Sequence, residues 1–91
     1  MIININGIIY KVYWKHLPFE EIDTLVKGVT HCTVKNLLTE VKMVASAFCS
    51  PIDQFNKQKG RIISLTRAIR NFPKEDRKKF WNEYKKNIGF R

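Results

Sequence analysis

The sequence predicts an α+β fold: a small antiparallel sheet, made of an N-terminal hairpin plus two further strands, packed with a short helix and two C-terminal helices. Residues 2–14 are rich in Ile, Val, Tyr and Trp around an Asn6-Gly7 dipeptide, the pairing that a tight hairpin turn prefers. A second β-branched run covers Val29 to Lys35. The last third changes to helical spacing, with apolar residues three or four apart among lysines and arginines. At 91 residues the chain has room for one domain, residues 1–91, and one modest core. A homo-oligomer that buries further apolar surface is compatible with that size.

The first strand covers residues 2–5 and the second residues 8–14. Alternation on the second puts Tyr10, Val12 and Trp14 on one face, expected to be the core, and Lys11, Tyr13 and Lys15 on the other. Pro18 suits a first helical turn, Glu20 and Glu21 complement the helix dipole, and Phe19, Ile22, Leu25 and Val26 form a stripe ended by Lys27-Gly28. A helix of about three turns is expected there. Val29 to Lys35 reads as a strand. Leu37, Val41, Val44 and Phe48 recur at helical spacing, yet Val41 to Cys49 also fits a strand bounded by Ser50-Pro51, and both readings stand on periodicity alone.

Arg61 to Phe72 is expected to be helical: Ile62, Leu65, Ile69 and Phe72 keep one apolar stripe, with Arg67 and Arg70 on its flank. Phe72-Pro73 ends it, because the residue before proline is pushed out of the helical region. Pro73 starts the last helix, with Glu75 and Asp76 in its first turn, Phe80, Trp81, Tyr84 and Ile88 on its apolar face, and Gly89 as a cap. Lys74, Lys78 and Lys85 share another face and form a secondary basic surface.

Charge is unevenly distributed. Residues 1–50 carry +1 and residues 51–91 carry +8, making up the total of +9. A positive field of that kind favours phosphates or an acidic surface as partner. The N-terminus has no basic n-region, and no run approaches the roughly 18 apolar residues that span a bilayer. A cytoplasmic protein with no membrane partner is therefore expected. Cys32 and Cys49 read as free thiols in a reducing compartment.

The segment from Ser50 to Arg61 is the first candidate site. It ends in Gly60-Arg61 at the expected helix start, where unpaired backbone N–H groups and the dipole attract an anion. Lys57, Lys59, Arg61, Arg67 and Arg70 supply charge, Gln54 and Asn56 can read a base or ribose edge, and Phe55 can stack on a base. The competing explanation is a helix capped by Asp53 or Asn56 beside solvated lysines. The segment lacks the G-x-x-x-x-G-K-[ST] pattern of a P-loop. Tyr13, set between Lys11 and Lys15, is a second candidate for base stacking, although any half-exposed strand alternates in this way.

Metal, cofactor and enzyme readings find little support. His16, His31, Cys32 and Cys49 lack the paired spacing of a zinc site. The carboxylates mostly sit at helix starts or on exposed faces. His31 and Cys32, adjacent on a strand, point to opposite faces and cannot act as base and nucleophile. A non-enzymatic protein with no metal and no cofactor is expected.

Cys49-Ser50-Pro51, Asp53-Gln54-Phe55-Asn56-Lys57, Gly60-Arg61, Ile63, Leu65 and Arg67-Ala68 together resemble a recurrent motif of small tailed-phage and prophage accessory proteins, over about a quarter of the chain. The resemblance implies a strand before the motif and a helix after it, which favours the strand for Val41 to Cys49. Ser64 departs from it mildly, standing where such sequences often carry alanine. It further implies a phage-encoded protein acting in the cytoplasm of an infected bacterium, against host defences or on nucleic-acid machinery, and it implies no catalytic residue. The expectation is an anti-defence or host-takeover protein that binds a nucleotide signal or nucleic acid through its basic C-terminal half. The alternative is an inhibitor that binds a host defence protein directly, such as a CRISPR or nucleic-acid-processing effector, with Trp81 or Tyr84 as anchor.

Overall fold

The computed structural model describes residues 1–18, 28–49 and 57–87. Its elements are β1 (Ile2–Ile5), β2 (Ile8–Pro18), β3 (Gly28–Asn36), β4 (Lys42–Cys49), α1 (Lys57–Ala68) and α2 (Lys74–Asn87). The strands form one antiparallel sheet in the order β1-β2-β3-β4. The architecture is α+β, as the patterning predicts.

The first hairpin is closed by Asn6 at φ 54° and Gly7 at φ 85°, the two left-handed residues that a type I′ turn needs. Asn4 Oδ1 accepts the Gly7 N–H at 2.9 Å and holds the turn. Periodicity leaves residues 37–48 open, and the structure resolves them as a second hairpin. Asn36 Oδ1 accepts from Leu38 N at 2.9 Å and Thr39 N at 3.2 Å, and Glu40 turns the chain at φ 63°. Side-chain hydrogen bonding at Asn36 thus offers the backbone a turn in place of the helix that Leu37, Val41, Val44 and Phe48 suggest.

Three boundaries differ from expectation. β2 runs on to Pro18, which pairs with Gly28 instead of opening a helix. β1 pairs with β2 only as far as Lys11, so at Pro18 the strand has β3 alone as neighbour and proline is tolerated as on an edge strand. The rest of the expected short helix, residues 19–27, lies outside the described residues. α1 covers Lys57–Ala68 instead of Arg61 to Phe72, starting and stopping about a turn early. Lys57, Gln58 and Lys59 are good helix formers that carry the helix back past Gly60. Beyond Ala68 the chain turns through residues 69–72 before Pro73, whose carbonyl accepts the Arg77 N–H at 3.0 Å in the first turn of α2. That turn leaves Arg70 exposed beyond α1, not on its flank.

Both helices lie on one face of the sheet, α1 across β3 and β4 and α2 beside β1. Ile3, Ile5, Tyr10, Val12, Cys32, Val34, Leu65, Ala68, Ile69, Phe80 and Tyr84 form the core. An aromatic chain seals the α2 side: Phe72 and Phe80 stack edge-on at 5.0 Å, Tyr10 meets each of them, and Tyr84 bridges Trp14 and Trp81 at 5.6 Å. Edge-on pairs of this kind add about 0.5–1.5 kcal/mol each beyond the area they bury.

Candidate functional site

Gly60 explains how α1 sits. It falls inside the helix, and a Cβ there would run into Thr30 Oγ1, with Thr30 Cβ only 3.0 Å away. Ser64 and Ala68 follow at four-residue intervals and are both buried. Gly60, Ser64 and Ala68 therefore make a stripe of small residues that lets the helix approach β3 closely. Ser64 turns its hydroxyl back on the helix, donating to Gly60 O at 2.7 Å, so a buried polar group is satisfied at little cost in volume. Gly60 is a packing residue and does not stand at a helix N-terminus. Helix-to-sheet contact thereby accounts for the small residues at 60, 64 and 68.

The other expected ligand residues separate. Gln54, Phe55 and Asn56 lie outside the described residues. Lys57 and Lys59 are exposed on the first turn of α1, and Arg61 is half-buried, with Nε out of contact with water and without a hydrogen-bond partner. Arg67 reaches away from them and donates from Nη1 to Ser46 O at 2.7 Å, covering a backbone acceptor on the edge strand β4. His16 Nδ1 lies 2.8 Å from Thr30 Oγ1, and the charges of Arg61 and Lys57 act on its ring. Burial first, then the Arg61 guanidinium and the Lys57 ammonium, hold His16 below the usual imidazole range. Lys74, Lys78 and Lys85 are exposed on α2, as expected for a surface lysine face.

The outer face of the sheet is a second cationic surface, separate from the lysines of the helices. β1 to β4 contain no Asp or Glu, and their lysines are Lys11, Lys15, Lys35 and Lys42. Register puts Lys11 opposite Lys35 and Lys35 opposite Lys42, so three lysines share one cross-strand row. The next row holds Tyr13, Thr33 and Val44, the third Lys15, His31 and Ser46, and the fourth Leu17, Val29 and Phe48. Tyr13 is 39% exposed and Phe48 63% exposed, and Lys11 Nζ stands 5.7 Å from the Tyr13 ring centre. Like charges directly opposite one another destabilise a sheet, so the lysine row is a cost to folding that a bound polyanion would offset.

Sequence reasoning missed two pairs on this sheet. His31 Nδ1 lies 2.7 Å from Ser46 Oγ, and His16 makes its similar contact with Thr30. Each joins residues on neighbouring strands, so only the register reveals it. His31 and Ser46 have the spacing of a base and a nucleophile, but no strand supplies the carboxylate that would orient the imidazole. The Cys32 thiol is buried, and burial pushes it up to about 12, far from a reactive thiolate. Among the described residues no three His, Cys, Asp or Glu side chains group to hold a metal, and no helix is long and apolar enough to cross a membrane.

On the helix side, Ile62, Trp81, Tyr84 and Lys85 line an open groove of about 480 Å³. Tyr84 is 2% exposed, which removes it as an anchor for a partner protein, while Trp81 remains half-buried. A separate apolar patch surrounds the second hairpin, where Leu38 is 81%, Val41 60% and Val44 61% exposed. Comparison with protein-family models, with curated proteins and with solved structures finds no match to this chain.

Proposed function

We propose that this chain is a non-enzymatic binding protein for a phosphate-bearing ligand, and that the ligand is a nucleic acid, not a small nucleotide. The observation that carries this reading is the partition of charge on the sheet: the strands hold no carboxylate and every strand lysine is on the outer face. Lys57, Lys59, Arg70, Lys74, Lys78 and Lys85 add exposed charge on the C-terminal elements. Cations spread over open surfaces suit a polymer with many phosphates, whereas a nucleotide signal calls for a few of them converging on a closed pocket. The motif's likeness to tailed-phage accessory proteins supports an anti-defence or host-takeover role in the cytoplasm of an infected bacterium.

The test is the salt dependence of binding to a fluorescent oligonucleotide. Counterion release predicts that log affinity falls linearly with log salt, with a slope of about −0.7 to −0.9 per neutralised phosphate. A flat salt response, or no binding at low salt, removes the nucleic-acid reading.

A second reading, an inhibitor that docks on a host defence protein, is favoured by the exposed Leu38, Val41 and Val44 around the second hairpin. Substituting Leu38→Asp and Val41→Asp separates the two. Loss of biological activity with intact oligonucleotide binding supports the protein partner.

A further inference from the structure

We infer that the outer face of the sheet takes unpaired, single-stranded nucleic acid, with bases stacked on Tyr13 and Phe48 and phosphates on the Lys11, Lys35 and Lys42 row and on Lys15. The inference rests on the nucleic-acid reading above and specifies its strandedness and its site. Both rings project from the face that carries the strand lysines, and both are exposed. An exposed ring among cations offers a stacking surface that only an unpaired base can use, since paired bases are already stacked on one another. A broad four-stranded face also does not enter the major groove of a duplex, which admits a helix or a two-stranded ribbon.

The geometry sets the path of the strand. Tyr13 on β2 and Phe48 on β4 are separated by two strand spacings and, from Val44, by four residues along β4. That places the rings about 16 Å apart on the diagonal of the face. Neighbouring bases cannot occupy both, so the bound strand crosses with further nucleotides between the two stacking points. His31 and Ser46 lie in the intervening row, within 2.7 Å of each other, and present donor and acceptor groups to those nucleotides. Lys11 Nζ stands over the Tyr13 ring at 5.7 Å from its centre, so a stacking base would displace this ammonium towards its own flanking phosphate.

The experiment is fluorescence anisotropy with a single strand of about 12 nucleotides, within the usual site size for such platforms, its matched duplex, and a poly-glutamate of similar charge. These are measured on the full chain and on the Tyr13→Ala, Phe48→Ala double variant. Expected is preference for the single strand, with a loss of about tenfold to a hundredfold in the double variant and a melting temperature lowered far less than by Phe80→Ala, because Tyr13 and Phe48 are partly exposed whereas Phe80 is fully buried. Phe48→Tyr, which keeps a ring, is expected to retain binding. If the chain binds neither strand nor duplex, the nucleic-acid reading itself falls, and this inference with it. Equal binding of strand and duplex, unaltered in the double variant, overturns the inference and leaves the nucleic-acid reading standing. Poly-glutamate competing as well as the single strand also overturns it, in favour of an acidic protein surface.

Discussion

On the inner face of the sheet Ile3, Tyr10, Val12, Cys32 and Val34 are closed off from water beneath α1 and α2, while their chain neighbours Lys11, Tyr13 and Lys15 stand in solvent on the outer face. The two faces share the same strands, one residue out of step. The inner face is occupied by parts of the same chain, so its residues answer to packing. The outer face carries two exposed rings and a row of three lysines. The lysine row lowers the stability of the sheet, because like charges face one another across the strands. The lysines on α2 and those on the sheet also differ in their surroundings. Lys74, Lys78 and Lys85 share α2 with Glu75, Asp76 and Glu83, whereas the strand lysines have no carboxylate in any strand.

Removing a ring from the inner face should have the largest effect. Phe80 is fully buried against Tyr10 and Phe72, so Phe80→Ala is expected to cost about 3–5 kcal/mol, a large part of the stability of a domain of this size. Thermal or urea unfolding followed by circular dichroism measures it. A loss below about 1 kcal/mol would break the contrast between packed and unpacked faces.

Gly60→Val tests the close approach of α1 to β3. The new side chain meets Thr30 and forces the helix away, at an expected cost of about 1–3 kcal/mol by the same measurement. Gly60→Val combined with Thr30→Ala should recover part of that loss, since Thr30 Oγ1 is the atom in the way.

Replacing Lys11, Lys35 and Lys42 together by serine should leave unfolding stability the same or slightly higher, by a few tenths of a kcal/mol, because a row of like charges is removed. The same variant should lower the salt slope of single-strand binding by about 2, near 0.7 for each lost phosphate contact. Reduced stability would mean that the row is held by structure, not kept for a ligand.

The smallest effect is expected at His16, where protonation meets burial and two neighbouring cations. Its pKa is lower in the folded protein than in the unfolded chain, so below 6.5 the unfolded chain takes up the proton first. Stability should fall as pH drops through 6.5 towards the lower folded value, then stop changing on account of this group. His16→Gln should flatten that part of a stability–pH curve. A slope unchanged by the substitution would place the proton elsewhere.

Several of these features are legible in the sequence for a local reason. Asn6-Gly7 predicts the first hairpin because only a few residue types tolerate two successive left-handed conformations. Alternation from Tyr10 to Lys15 sorts core from solvent because strand side chains alternate strictly. Phe80 and Tyr84 show their burial through their spacing on α2. The second hairpin was ambiguous because Leu37, Val41, Val44 and Phe48 fit a helix stripe, and the capping of its turn by Asn36 depends on distances that periodicity does not carry.

Amino-acid order alone determined the α+β class, the two-faced character of β2 and the basic balance of residues 51–91, all set by residue type and local spacing. The tertiary structure decided what those residues do. It moved Gly60 from an anion-binding helix start to a packing contact with Thr30, because helix position depends on what the helix must touch. It tied Arg67 to the edge of β4, and it lined up Lys11, Lys35 and Lys42 from three separate strands on the same face as Tyr13 and Phe48. Cross-strand register produces that alignment, and register depends on turns and core packing distributed along the whole sheet.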